Sequence, residues 1–104
     1  MRALHCLLPL IWSVSVALAA EPKHTYMPPN GYVPDAATAI KIAVAVWEPI
    51  YGRKQIEGEK PFTAVLRDGI WTVQGSLPLH TSGGVALAEI AKDDGRILRV
   101  THGR

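Results

Sequence analysis

The chain has a single cysteine, Cys6, among its 104 residues. No internal disulfide can staple it, so packing and hydrogen bonding alone must hold any fold it adopts. It also lacks an excess of one charge: 11 Lys and Arg stand against 9 Asp and Glu. That balance, evenly mixed along the chain, argues against a nucleic-acid or anionic-membrane surface. No apolar run reaches the roughly twenty residues that a membrane-spanning helix needs. The longest, residues 7–18, is interrupted by Pro9, Ser13 and Ser15. Zinc-ligand spacing, a Walker loop, a dinucleotide fingerprint and a Gly-x-Ser-x-Gly elbow are all missing. The corresponding metal, nucleotide and hydrolase chemistries have no foothold, and no cofactor or metal is implied.

What is present begins with a secretory signal. Arg2, the apolar stretch from Leu7 to Leu18 and the small residues Ala17-Leu18-Ala19-Ala20 follow one another in signal-peptide order, ahead of the polar Glu21-Pro22-Lys23. Cleavage after Ala19 or Ala20 would remove the first 19 or 20 residues, Cys6 with them. Cys6 precedes the apolar run instead of closing it, so it does not serve as a lipidated anchor. Residues 21–33 hold prolines, Asn30 and Gly31 without a sustained apolar period and read as an arm or linker. Residues 34–104 are then one small domain near the size where burial only just outweighs chain entropy.

Within that domain, Asp35 is a good N-cap ahead of Ala36-Ala37-Thr38-Ala39. Ile40, Ala43, Val44, Trp47 and Ile50 recur at helical spacing and form one apolar stripe. Pro49 is expected to end or bend this helix near Trp47 after about three turns. The charged stretch from Gly52 to Lys60 reads as a loop or short helical turn anchored by Ile56. From Pro61 onward the apolar period becomes two. Asp68-Gly69 suits a two-residue type I′ turn that pairs Arg67 with Ile70, Leu66 with Trp71, Ala64 with Val73 and Phe62 with Gly75. After a loop from Gly75 to Gly84, Asp93-Asp94-Gly95 suits a three-residue turn that pairs Lys92 with Arg96, Ile90 with Leu98, Glu89 with Arg99 and Ala88 with Val100. The expected fold is α+β, with one main N-terminal helix packed on a curved four-stranded antiparallel meander.

Few residues suggest chemistry. Ser82 lies near His80, but Gly83-Gly84 leads into a strand and offers no helix N-terminus for an oxyanion. Glu89 among aliphatic residues resembles a pocket base, yet the register sets it against Arg99 as an ordinary cross-strand pair. His102 continues the core side past Val100, as a hydrogen-bonded strand end or a pocket residue. Trp47 and Trp71 are the large core candidates. The other side of the sheet carries Val65, Ile70, Leu87 and Ile97 among Arg67, Gln74, Glu89 and Arg99, with nothing left in the chain to cover them. An apolar patch rimmed by charge marks a candidate protein interface.

The segment from Val33 to Arg104 resembles the NTF2-fold immunity proteins of bacterial polymorphic toxin systems. The resemblance is carried by Pro34-Asp35, Thr38-Ala39-Ile40-Lys41-Ile42-Ala43, Trp47, Pro49-Ile50-Tyr51-Gly52 and Lys60-Pro61-Phe62. It continues through Asp68-Gly69, Trp71, Gly83-Gly84, Glu89-Ile90, Asp94-Gly95 and the closing Thr101-His102-Gly103-Arg104. It implies a reduced cone-shaped NTF2-like fold and a protein partner, a toxin that the chain binds and neutralises. The expectation is an exported, non-catalytic binding protein of the bacterial periplasm, without stable membrane insertion once the signal is cleaved. The wider NTF2-like group also contains enzymes and small-ligand binders, so a shallow concave pocket near Trp71, His102 and Glu89 is an alternative. A structural homodimer joined through the outer sheet face is another.

Overall fold

The computed structural model describes residues 23–103; residues 1–22, with the expected signal peptide among them, and Arg104 lie outside the described residues. Asp35 caps the first helix, α1 (Ala36–Tyr51), as its Oδ1 accepts the Thr38 N–H at 2.8 Å. Hydrogen bonds from Thr38 hold the Asp35 carboxyl below its ordinary pKa. The helix faces the sheet with Ala39, Ala43 and Trp47, all fully buried. Two alanines bring the helix backbone close, and the indole fills the wider end of the gap. Ile40 and Val44 flank this line and are half-buried, as the stripe requires.

Two expectations about α1 are corrected. The helix does not end near Trp47 but runs through Pro49 to Tyr51. Pro49 forfeits only its own bond to Ala45, an exposed position, while the Gly52 N–H satisfies the Glu48 carbonyl at 2.9 Å in the left-handed region, φ 97°. This longer helix also turns Ile50 outward, 57% exposed. Tyr51, one turn beyond Trp47, takes the core side in its place. A short α2 (Arg53–Glu57) follows, and Ile56 anchors it in the core at 1% exposure.

Four strands form one open antiparallel sheet in sequence order: β1 (Thr63–Arg67), β2 (Ile70–Gln74), β3 (Ala86–Ala91) and β4 (Ile97–His102). In the first hairpin the expected pairs Arg67 with Ile70, Leu66 with Trp71 and Ala64 with Val73 are present, while the ladder ends at Thr63 with Gln74, one position short of the expected Phe62 with Gly75. Asp68 and Gly69 both have positive φ, 51° and 75°, as a type I′ turn demands. In the second hairpin Glu89 faces Arg99 and Ala88 faces Val100 as expected, but a bulge follows and Ile90 faces Ile97 instead of Leu98. The turn holds four residues, closed by Ala91 N–H to the Arg96 carbonyl and Gly95 N–H to the Ala91 carbonyl, both 2.9 Å. The extra residue is absorbed at Leu98.

The core lies between α1 and the side of the sheet that carries Trp71, Val73, Ala86, Ala88 and Ile90. The arm contributes to it as well. Val33 is 1% exposed, and its carbonyl accepts the Trp71 indole N–H at 2.8 Å. Tyr32 and Val33 donate their backbone N–H groups to Asp93 and Lys92, so the arm is tied to the β3–β4 turn. Gly31 makes this approach with φ 84°, where a Cβ would meet the Lys92 carbonyl oxygen at 2.5 Å. Gly31→Ala is therefore expected to release the arm and cost about 1–3 kcal/mol. Amide exchange at Tyr32 and Val33 should accelerate well beyond that at Ile90.

Candidate functional site

Two places in the fold hold side chains that packing alone does not explain. The first is the outer sheet face, where the register sorts the residues into rows. Thr63, Gln74, Leu87 and Thr101 make one row, and Val65, Thr72, Glu89 and Arg99 the next. A third begins with Arg67, Ile70 and Ala91. All but one of the residues expected on this side are found there. The exception is Ile97, which the bulge aligns with Ile90 in the inner row; Leu98 instead lines a hollow with Ile70 and Ala91. The physical reason is the period of two, since one inserted residue exchanges faces.

The outer face is uneven. Near the hairpin tips a hollow of about 480 Å³ lies between the arm at Asn30 and Gly31 and the residues Ile70, Lys92, Arg96 and Leu98. At the far end an open groove of about 290 Å³ is bounded by Gln74, Leu77, Val85, Leu87 and Thr101. Between them stands the Glu89–Arg99 ion pair, 3.1 Å apart, with both side chains partly exposed. Such a pair is worth a few tenths of a kcal/mol, about what cross-strand charge pairs contribute, so Glu89 has the ordinary explanation. Among the described residues no helix or strand packs on this face, since α1 lies on the other side.

The second place was not legible as a site in the sequence. Glu59, just past α2, is 3% exposed although it carries a carboxylate. Its Oε1 accepts the Ala86 N–H at 2.7 Å. Its Oε2 accepts Gln55 Nε2 at 2.8 Å and lies 2.7 Å from His102 Nε2. Burial pushes the Glu59 carboxyl up, but the bonds from Ala86, Gln55 and His102, with the attraction of His102, outweigh it and hold the pKa below the ordinary value. The Tyr51 ring packs on the His102 imidazole at 5.0 Å between centroids. The cluster thus clasps α1, α2, the start of β3 and the end of β4. Room for the carboxylate comes from Gly75, where a Cβ would collide with it.

A carboxylate that orients an imidazole is half of a general-base arrangement. Here its oxygens are already occupied, the imidazole is shared with Tyr51, and neither hollow described above reaches it. The structure does not bring Trp71, Glu89 and His102 together. Trp71 is in the inner row that joins Ile90, His102 is two rows away opposite Ala86, and Glu89 is on the outer side. The concave side between them is filled by Trp47, Trp71 and Phe62, the last packed on Trp47 at 5.7 Å. Ser82 and His80 remain exposed in the β2–β3 loop, with His80 at φ 64°. Among the described residues no cluster of His, Cys, Asp and Glu is arranged to hold a metal ion.

Comparison with known proteins agrees with this architecture. The chain is 36% identical to the uncharacterized protein YhhH of Escherichia coli (strain K12) over 86 residues, covering 82% of this chain and 65% of that protein. It is 34% identical to the uncharacterized protein YbbC of the same strain over 67 residues, 64% of this chain and 55% of that one. The chain therefore spans less than two thirds of the length of either relative. No solved structure matches it. The family described as NTF2 fold immunity protein matches residues 38–104, from the first turn of α1 to the end of the chain, and the helix on a four-stranded antiparallel open sheet has the form an NTF2-like α+β fold requires. The chain belongs to the NTF2 fold immunity protein family.

Proposed function

We propose that the protein is a non-catalytic inhibitor that binds a toxin in the bacterial periplasm through the outer face of its sheet. Family membership carries the binding role and the protein partner. The face is supported by its shape: Ile70 and Leu98 line one hollow, Leu87 lines the other, and a charged pair stands between. The two hollows are two rows apart on the same strands, about 13 Å along the strand direction. A partner would fill them with two apolar anchors and meet Glu89 and Arg99 with polar groups, in the manner of an interface with buried anchors and a satisfied polar surround. Export is supported by the order of Arg2, the apolar stretch and the small residues before Glu21. A toxin met in the periplasm would attack cell wall or membrane.

Co-expression with a toxin sought among the genes beside its own tests both parts. Protection is expected from the full chain and to be lost when residues 1–20 are removed; equal protection by both forms would remove the periplasm from the proposal. Leu87→Asp and Ile70→Asp should weaken toxin binding at least tenfold, about 1.4 kcal/mol, with the far-ultraviolet circular dichroism unchanged. Full protection by both folded variants would show that the partner docks elsewhere.

A further inference from the structure

Among the described residues the open sheet has two free edges, and they are not alike. The β4 edge is guarded. A bulge breaks its register at Leu98, and Arg96 and Arg99 extend from it with side chains 61% and 53% exposed. These are the devices that keep an edge strand from pairing with another chain. The β1 edge is less protected, with no bulge and a single charge at its end. Its five residues Thr63–Arg67 keep an unbroken register with β2, contain no proline, and carry charge only at Arg67. Val65 and Leu66 are 57% and 42% exposed.

The two-residue turn fixes which backbone groups face outward. Arg67 and Ile70 close that turn as a hydrogen-bonded pair, so Arg67, Val65 and Thr63 spend their N–H and C=O groups on β2. Ala64 and Leu66 then turn theirs to the free edge, and no described group bonds them. This pattern is self-complementary about Val65. In an antiparallel pair of two copies, Val65 would face Val65, each Ala64 would exchange both backbone bonds with Leu66 of the second copy, and each Arg67 would face an uncharged Thr63. No like charges meet, and two apolar side chains lie on the two-fold axis.

We propose that the β1 edge is a homodimer interface in which two copies join their sheets into one continuous eight-stranded sheet. The contact is short compared with the interfaces of stable dimers, about 1,600 Å², so the dimer is a weak, reversible one. It is a different contact from the toxin reading, which rests on Ile70, Leu87, Leu98 and the Glu89–Arg99 pair, although Val65 lies on the same face.

The test is sedimentation of the protein as purified from its own cells, from micromolar to millimolar concentration. A reversible dimer is expected. Val65→Lys, which sets two ammonium groups against each other on the axis, should weaken it at least tenfold, while Val65→Thr and Leu87→Asp leave it intact. Val65→Cys should oxidise to a covalent dimer, because directly opposed residues of this kind lie about 4.5 Å apart at Cα; Arg99→Cys on the guarded edge should not. A protein that stays monomeric throughout overturns the proposal. So does a dimer that survives Val65→Lys or yields to Leu87→Asp.

Discussion

Replacing Glu59 with alanine is expected to lower stability by about 3 kcal/mol, the cost of leaving buried polar groups without their charged partner. In a domain of this size that corresponds to a fall in Tm of about 15 °C. The loss arises because the Ala86 N–H is left buried without an acceptor while Gln55 and His102 lose their common anchor. Glu59→Gln keeps the shape and one acceptor oxygen for Ala86, so it should cost about 1 kcal/mol. The two variants separate the hydrogen-bond frame from the charge.

Acid should separate them further. The Glu59 pKa in the folded protein is lowered from the ordinary value near 4.5. A lowered carboxylate contributes stability that is fully present above its unfolded value and is lost as pH falls through the folded one. Wild type should therefore lose stability relative to Glu59→Gln on acidification from about pH 4.5 downward. A constant difference across that range would mean that the carboxylate is not held by these partners.

The second large effect is expected at Trp47. Its side chain is fully buried between α1 and the sheet, packs on Phe62 at 5.7 Å, and approaches the Leu87 carbonyl with its indole N–H at 3.4 Å. Trp47→Ala removes the largest buried side chain of a core that is otherwise rich in alanine. It should cost about 3–5 kcal/mol. Because small domains have only about 5–15 kcal/mol in total, this variant is expected to be largely unfolded at 37 °C. Trp47→Phe should lose about half as much and stay folded. If Trp47→Ala melted within a few degrees of wild type, the helix would not be seated on the sheet through this residue.

The first hairpin was readable in detail because a single dipeptide, Asp68-Gly69, sets the turn type, and a two-residue turn leaves only one register. Trp47 and Trp71 were readable as core because each falls on the apolar side of its own period. The second hairpin was half readable. Asp93-Asp94-Gly95 is compatible with turns of three or four residues, and only packing of the Ile90 row chooses between them. Pro49 marks a helix end by local rules, yet one lost bond at an exposed turn was outweighed by burial of Tyr51.

Glu59 was hidden for a different reason. It sits in a charged stretch that looks solvated, and its partners Ala86 and His102 are 27 and 43 residues further along. A signal did exist in the row Gly75, Ala86, His102. Two of these positions are among the smallest side chains available, which leaves a gap for a group from another segment. Neighbouring strands cannot reveal which group fills it.

The span of that clasp has a consequence in time. Each hairpin brings together residues close in sequence, which favours early formation, whereas closing Glu59 onto His102 waits for all four strands to be in place. Interactions made after the transition state act as a brake on opening and leave the forward rate almost untouched. Cells that lose the Glu59 carboxylate would thus make the protein as fast as before, but each molecule would come apart sooner.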